Sequence, residues 1–507
     1  MQKGFGVRWL DTALDFAMPK VCGRTLPSEI ESGVKPPHSK SSEGGVRLRC
    51  AVLILVALAS ISGEVLAAEQ KEKPNVLFIA VDDLNHWVGP LGRNPQTKTP
   101  NIDRLAKMGV TFANAHCAAP VCNPSRAALM SGKRPGQTGV YDNGQDWRPA
   151  IPKEETLTTQ FLKAGYDVFG AGKIYHGSAH REGEWTDYFR GGGAGRLKRH
   201  PSAKDGGVGV IQFYPLANQD EDMPDYRVAS YGIEKLKSKH QKPLFLALGF
   251  VKPHMPFAVP KKYFDRFPLD KIQLPPTKPN DLDDVPPEGV EMAGNGRLHA
   301  KIVESGRWKE AVQAYLASIA FLDAQVGRVL DALEKSPHRK KTIIVFFGDH
   351  GWHLGEKQHW RKFALWEEAT RAPFIWVAPG VTKRGGVCAR PVDFMSIYPT
   401  LMDLCSIPKP SHVTAESLRP LLKNAKADWN TPAITTFKQN NHAIRTERWR
   451  WIRYATGGEE LYDHTVDPYE WTNVAARAEY AATKAELAKW LPKENAAALP
   501  GRGGDTE

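Results

Sequence analysis

The sequence predicts an α/β fold: a largely parallel central sheet flanked by helices, followed by a small C-terminal antiparallel α+β subdomain. Three observations predict it. Apolar, β-branched runs at residues 75–81, 243–250 and 342–348 are continuous rather than alternating, so they read as strands covered on both faces. Between the last two, Tyr315, Ile319, Leu322, Val326, Val329 and Leu333 recur at three- and four-residue steps, the stripe of a packed amphipathic helix. From about residue 429 the character changes, and residues 448–454 alternate charge with aromatic or apolar side chains like an antiparallel strand with one covered face. The expected division is therefore an N-terminal extension with a targeting signal at 1–67, a main α/β domain at 72–428 and a C-terminal subdomain at 429–507.

In chain order, the apolar core at 52–58 is preceded by Arg47 and Arg49 and followed by Val65-Leu66-Ala67, the pattern of a signal peptide over about residues 46–67. It is too short to span a bilayer, so the expectation is an exported chain, periplasmic or secreted, without stable membrane insertion. Residues 1–45 are polar and aperiodic, which suggests a translation start near Val46. Net charge is +12, and without residues 1–67 there remain 60 basic against 50 acidic residues. Such a surface steers anionic ligands, sulfated polysaccharide or nucleic acid alike, but no nucleic-acid motif accompanies it. Cys117, Cys122, Cys388 and Cys405 remain after the signal, with no CxxC pairing or dense framework. Whether Cys388 and Cys405 pair stays open.

The first strand ends abruptly in Asp82-Asp83, and the run at 342–348 ends in Asp349-His350. Ligands of open α/β sheets bind at the carboxyl ends of strands. Carboxylates gathered there resist burial unless a cation compensates them, and oxygen donors suit Ca²⁺ or Mg²⁺ better than zinc, which would want more His or Cys. Residues 99–106 start a helix with Ile102, Leu105 and Ala106 on one face. It leads to Cys122-Asn123-Pro124-Ser125-Arg126, where the proline suits a first helical turn. A cysteine at a helix N-terminus, near the fixed charge of Arg126, suits oxyanion chemistry; an inert loop–helix junction is the plain alternative.

Residues 166–176 read as a strand running into a glycine turn with Lys173 and His176. Residues 178–225, rich in Gly, Arg, Lys and Asp, are expected to form an irregular insertion rimming a cleft. His254 stands boxed between Pro253 and Pro256, residues 259–300 read as loop, 373–380 as a further strand and 395–404 as a helix. The tyrosine-led stripe at 315–333 reads as core packing without chemistry. The last residues, 501–507, read as a frayed tail.

The cysteine string, together with the small-apolar run ending in Ser131-Gly132-Lys133-Arg134-Pro135, resembles the signature of type I sulfatases, and the resemblance extends from about Asn75 to Val474. It implies an alkaline-phosphatase-like fold. It also implies that a formylglycine-generating enzyme oxidises Cys122 to formylglycine, whose hydrate attacks the sulfur of a sulfate ester by a two-step covalent route. Asp82, Asp83, Asp349 and His350 then match the metal ligands, with the modified Cys122 completing the shell of one Ca²⁺, Mg²⁺ being the second choice. Arg126, Lys173 and, by alignment, Lys362 match the residues that hold the sulfate; Lys357 lies too early. His254 matches the acid for the leaving alcohol and His176 the group that handles the nucleophile's proton.

Many sulfatases carry Asn where His350 stands. The His form resembles the iduronate-2-sulfatase and choline-sulfatase branches, and Lys252-Pro253-His254-Met255-Pro256-Phe257 resembles the former. The implied substrate is a sulfated carbohydrate, with uronate 2-sulfates of glycosaminoglycans first and other sulfated polysaccharides next. The rivals are a choline-sulfatase-like enzyme, a phosphonate or phosphate monoester hydrolase on the same scaffold, and an inactive carbohydrate-binding homologue. The interleaved Arg and Trp at 448–454 could suggest nucleic acid, but they also resemble the C-terminal subdomain of sulfatases.

Overall fold

The computed structural model describes residues 72–177, 180–191 and 197–501. The extension and signal expected at 1–67, most of the tail at 501–507 and parts of the insertion at 178–225 lie outside the described residues. The eight-stranded central sheet contains, in chain order, β1 (Asn75–Val81), β2 (Val110–Phe112), β3 (Asp167–Gly172), β4 (Asp187–Phe189), β5 (Leu244–Phe250), β6 (Thr342–Gly348), β7 (Phe374–Val377) and β8 (Gly386–Cys388). Their spatial order is β8-β2-β7-β6-β1-β5-β3-β4. Every pairing is parallel except those of β7, which runs antiparallel to β6 and β2.

The continuous apolar runs became the central strands because both sheet faces are covered. On one face Leu77, Ile79 and Val81 join Ile102 and Leu105 of α1 (Pro100–Met108), Val228 of α3 (Pro224–Lys237) and the stripe of α4 (Trp308–Glu334). On the other face Val76, Phe78 and Ala80 meet Ala127 and Leu129 of α2 (Cys122–Ser131) and Ile397 and Leu401 of α5 (Ile397–Leu404). Alternate residues of one strand thus serve two separate apolar layers. Phe78 is fully buried, with ring centroids 5.8 Å from Phe245 and 5.1 Å from Phe347.

At the C-terminus β9 (Ala433–Thr436), β10 (His442–Arg445), β11 (Trp449–Arg453) and β12 (Glu459–Asp463) form an antiparallel meander in that order. Trp451 faces inward with Leu461 and Ile434, so the Arg/Trp alternation is sheet packing.

Two expectations need correction. The insertion is not wholly irregular, since Asp187–Phe189 forms the edge strand β4 and the Tyr188 hydroxyl donates to Gly172 O at 2.6 Å. A three-residue strand inside a glycine- and charge-rich stretch leaves no periodicity to read. Residues 259–300 also carry short helices at Lys261–Phe264, Pro287–Met292 and Arg297–Glu304. The four cysteines of the described residues, Cys388 and Cys405 included, are buried free thiols. Among the described residues no helix is long and apolar enough to cross a membrane.

Phe78→Ala empties a site walled by two aromatic rings. It should cost about 3–5 kcal/mol, read as a lower denaturant midpoint at unchanged slope; a loss under about 1 kcal/mol would show that the layers repack around it.

Candidate active site

Strands β1 and β6 are parallel neighbours with Val81 paired to Gly348, so their next residues, Asp82-Asp83 and Asp349-His350, emerge side by side. All four are fully buried. Asp83 takes a left-handed backbone, φ 56°, a conformation that persists in a non-glycine residue only where its surroundings over-determine it. Here its N–H donates to Asp349 Oδ1 at 3.1 Å, and its carbonyl accepts from the Tyr315 hydroxyl at 2.7 Å. The sequence placed Tyr315 in the packing stripe of α4; the structure gives it this polar task as well.

Helix α2 enters the same place from the opposite face. It begins at Cys122, and Gly132 closes it in a left-handed cap whose N–H reaches Ala128 O at 2.8 Å. All ten of its residues are buried. Ser125 Oγ donates to Asp349 O at 2.6 Å, pinning the helix to the end of β6. Arg126 spans both strand ends, with Nε 2.8 Å from Asp349 Oδ2 and Nη2 3.1 Å from Asp82 Oδ1, while Nη1 caps the Lys173 and Ile174 carbonyls. Asn123, unread from sequence, anchors the first turn by donating its N–H to Asn143 Oδ1 at 2.9 Å.

Around Cys122 Sγ lie Lys362 Nζ at 3.2 Å, His350 Nε2 at 3.3 Å and Asp83 Oδ1 at 3.9 Å. Lys362 Nζ also donates to Asp83 Oδ1 at 3.0 Å, and Lys173 Nζ to Asp82 Oδ2 at 2.7 Å. His254 brings Nε2 to 3.9 Å from both Asp82 Oδ2 and Asp83 Oδ2 while its Nδ1 faces Met255 O at 2.6 Å. Lys252 steadies that loop, donating to His254 O at 2.9 Å and Pro256 O at 2.6 Å, and Asp225 accepts the Val251 and Lys252 N–H groups. Asp225 escaped the sequence reading, and Lys252 entered it only as the first residue of the histidine string. His176 lines an adjoining pocket together with Lys173.

Burial pushes carboxyls up and imidazoles down, and the neighbours decide the outcome. Asp82 is held well below the carboxylate range because Lys173, His254, Arg126 and Lys362 outweigh its desolvation. Desolvation wins at Asp349, whose carboxyl is raised despite Arg126 and His350. His350 rises to about 9 against its burial through Asp349, Cys122 and Asp83, and His254 rises against its burial through Asp83 and Asp82. Lys252 falls to about 8 and Asp225 rises to about 6, in each case chiefly through burial.

The donor set fits a metal ion. One donor atom each from Asp82, Asp83, Cys122 and His350 falls within 4.8 Å of the others. Asp83 Oδ2 is buried with no hydrogen-bond partner among the described residues, an uncompensated acceptor that a cation would satisfy. Two carboxylates with Asp349 beside them favour a hard ion. Glu367, His464 and Glu470 also converge. Arg450 Nε stands 2.5 Å from Glu470 Oε1 and Arg445 Nε 3.2 Å from Glu367 Oε2, so that group is an ion-pair network.

Comparisons with known proteins agree with this geometry. The family described as Sulfatase matches residues 74–407, and the C-terminal family of N-sulphoglucosamine sulphohydrolase matches residues 355–497. A sulfatase of Formosa agariphila is 39% identical over 89% of this chain and 93% of its own length. The iduronate 2-sulfatase of Mus musculus is 31% identical over 66% of this chain and 69% of its own. Among solved structures, a 2-O GAG sulfatase superposes with TM-score 0.64 at 25% identity, covering 82% of this chain and 91% of that one.

If Asp83 Oδ2 belongs to a metal, Asp83→Asn should lower bound metal on elemental analysis with the far-ultraviolet spectrum unchanged. Lewis-acid stabilisation is worth several kcal/mol, so turnover should fall by about 10²-fold or more. Full metal content in Asp83→Asn would remove the carboxylate from the site.

Proposed function

The chain belongs to the sulfatase family, and from that premise we propose that it hydrolyses the sulfate ester of an acidic sugar, a uronate 2-sulfate of a glycosaminoglycan or related polysaccharide. One observation carries the reading: the Cys122 thiol at the start of α2 stands 3.2 Å from Lys362 Nζ and 3.3 Å from His350 Nε2, beside buried strand-end carboxylates. The iduronate-2-sulfatase type rests on the Lys252–Phe257 string, on Asp349-His350 and on the mouse relative. In this reading the chain is exported after removal of a signal at about residues 46–67, with 72–428 as catalytic domain and 429–507 as C-terminal subdomain.

Asp82, Asp83, Asp349, His350 and the modified side chain at 122 would hold one Ca²⁺. Formylglycine at that position would supply a hydroxyl nucleophile, and a bound ion would supply Lewis-acid polarisation of the sulfate. The chain's own residues set the rest. Arg126 neutralises two carboxylates that would otherwise repel an anion, and it fixes the start of α2 against both strand ends. Lys173 and Lys362 present fixed positive charge on either side of Asp82-Asp83, where charge on sulfate oxygens develops. His254, whose imidazole Asp83 and Asp82 shift toward the protonated form against its burial, can deliver the Nε2 proton to the departing alcohol, since its other nitrogen is tied to Met255 O. His176 would take the proton that must leave the nucleophile in the second step.

Maturation has a direct test. The tryptic peptide carrying Cys122 should be lighter than its thiol form and react with carbonyl reagents; an active preparation holding only the thiol would exclude the formylglycine route. Sulfate release from defined glycosaminoglycan disaccharides and algal polysaccharides then fixes the substrate. No release from any uronate 2-sulfate would send the assignment to another sulfated sugar.

The two histidines separate by leaving group. Proton transfer by a placed side chain is worth roughly 10²–10⁴-fold. His254→Ala should therefore slow sugar sulfates far more than a nitrophenyl sulfate, which leaves without protonation. His176→Ala should release a burst of alcohol from both substrates and then stall. Equal leaving-group dependence without a burst in either variant would void this division of roles.

A further inference from the structure

Strand β5 ends at Phe250, and the stretch that follows carries His254 to the strand-end carboxylates. Two buried groups hold that stretch. Asp225, in the first turn of α3 and 2% exposed, accepts the Val251 N–H on Oδ1 at 2.9 Å and the Lys252 N–H on Oδ2 at 2.8 Å. Both oxygens of one carboxylate thus take the first two N–H groups beyond the strand. Lys252, 8% exposed, folds over its own loop, and its Nζ donates to His254 O at 2.9 Å and to Pro256 O at 2.6 Å. The His254 N–H closes a turn onto Val251 O at 2.9 Å.

Packing alone does not fix this loop. A cavity of about 390 Å³ reaching Lys173 and His176, and another of about 290 Å³ reaching Lys252 and Met255, share Asp225 and Val251 as walls. His254, Met255 and Pro256 are only half-buried. A segment bordering two cavities lacks part of the close contact that holds a core residue, so its polar fastenings decide where it lies.

The imidazole inherits that position. Its Nδ1 donates to Met255 O at 2.6 Å, a carbonyl between the two that Lys252 holds, and this leaves Nε2 3.9 Å from a carboxylate oxygen of both Asp82 and Asp83. A misplacement of about 1 Å at a reacting group can cost about 10²-fold in rate.

We propose that Asp225 and Lys252 are positioning residues for the proton that His254 delivers to the departing alcohol: Asp225 fixes where the loop leaves β5, and Lys252 fixes the carbonyls on either side of the one that orients the ring. The proposal deepens the sulfatase reading and rests on it for the identity of the leaving group. A support that only stabilised the fold would affect every substrate and every background alike. One acting through His254 affects only esters whose alcohol needs a proton, and only while His254 is present.

The test is a double-mutant cycle on the full, mature chain. Lys252→Met removes the ammonium and keeps the stem. It should lower kcat/KM about tenfold or more on a sugar sulfate and less than about twofold on a nitrophenyl sulfate, which leaves without protonation. In the His254→Ala background the same substitution should cost less than about twofold on either ester. Asp225→Asn, of the same shape, gives up one of the two acceptors and should show the same selectivity. Either single change strands one buried charge, so the double variant Asp225→Asn/Lys252→Met, which strands neither, takes their place if they fail to fold. Equal loss on both esters, an undiminished cost without His254, or no loss in Lys252→Met overturns the proposal. Absence of sulfate release by the unsubstituted mature enzyme would instead overturn the sulfatase reading. The rate at which diethyl pyrocarbonate modifies His254, read on its peptide, then still judges the positioning: a rate at least about twofold higher in Lys252→Met supports it, and an unchanged rate overturns it.

Discussion

Arg126 is the constraint on which the centre depends. Three carboxylates at the ends of two adjacent parallel strands are taken out of water by the fold itself, because β1 and β6 are covered on both faces up to their last residues. At an effective dielectric near 20, two like charges about 4 Å apart repel by roughly 4 kcal/mol. The guanidinium, reaching Asp82 and Asp349 at once, turns that repulsion into a bridge between a helix and two strands. Lysine could not replace it, since one ammonium cannot present two donors in a fixed plane to two strands. Removing one member of such a buried set costs about 3–5 kcal/mol, so these buried charges also hold α2 against the sheet.

How much of this was legible follows from which interactions leave a pattern in sequence. Asp82, Asp83, Asp349 and His350 were visible because a carboxylate after seven apolar residues is abrupt, and because the arrangement occurs twice. Cys122 and Arg126 were visible through a five-residue string. Lys173, His176, His254 and Lys362 were named only through the family resemblance, since a single Lys or His on a loop has no periodicity. Ser125, Tyr315 and Asp225 act on backbone atoms of residues far away in the chain, while Lys252 donates to carbonyls of its own loop and Asn123 gives its N–H to the Asn143 side chain; no periodicity marks any of these tasks. Strand β4 failed for a different reason: three residues cannot establish an alternation.

The segment around Lys362 shows how a buried ammonium is delivered. Lys357, Gln358, Arg361 and Phe363 all have positive φ, so the chain doubles back repeatedly over seven residues. The short pairing of His353–Leu354 with Trp360–Arg361 ties the two ends together, and His359 Nε2 meets Lys362 O at 2.7 Å. Lys362 is thereby buried with its ammonium 3.2 Å from Cys122 Sγ and 3.0 Å from Asp83 Oδ1.

The C-terminal sheet belongs to the same logic. Arg450 is fully buried, donates to Leu365 O at 3.0 Å and pairs with Glu367 and Glu470. Glu367 opens the short helix Glu367–Thr370, whose neighbours Glu368 and Thr370 accept from Trp352 N–H and Cys117 N–H. The meander is therefore fastened to segments that follow His350 and precede Cys122. The four-stranded sheet is thus held to the strand-end site through a desolvated arginine and its two carboxylates as well as through apolar contact.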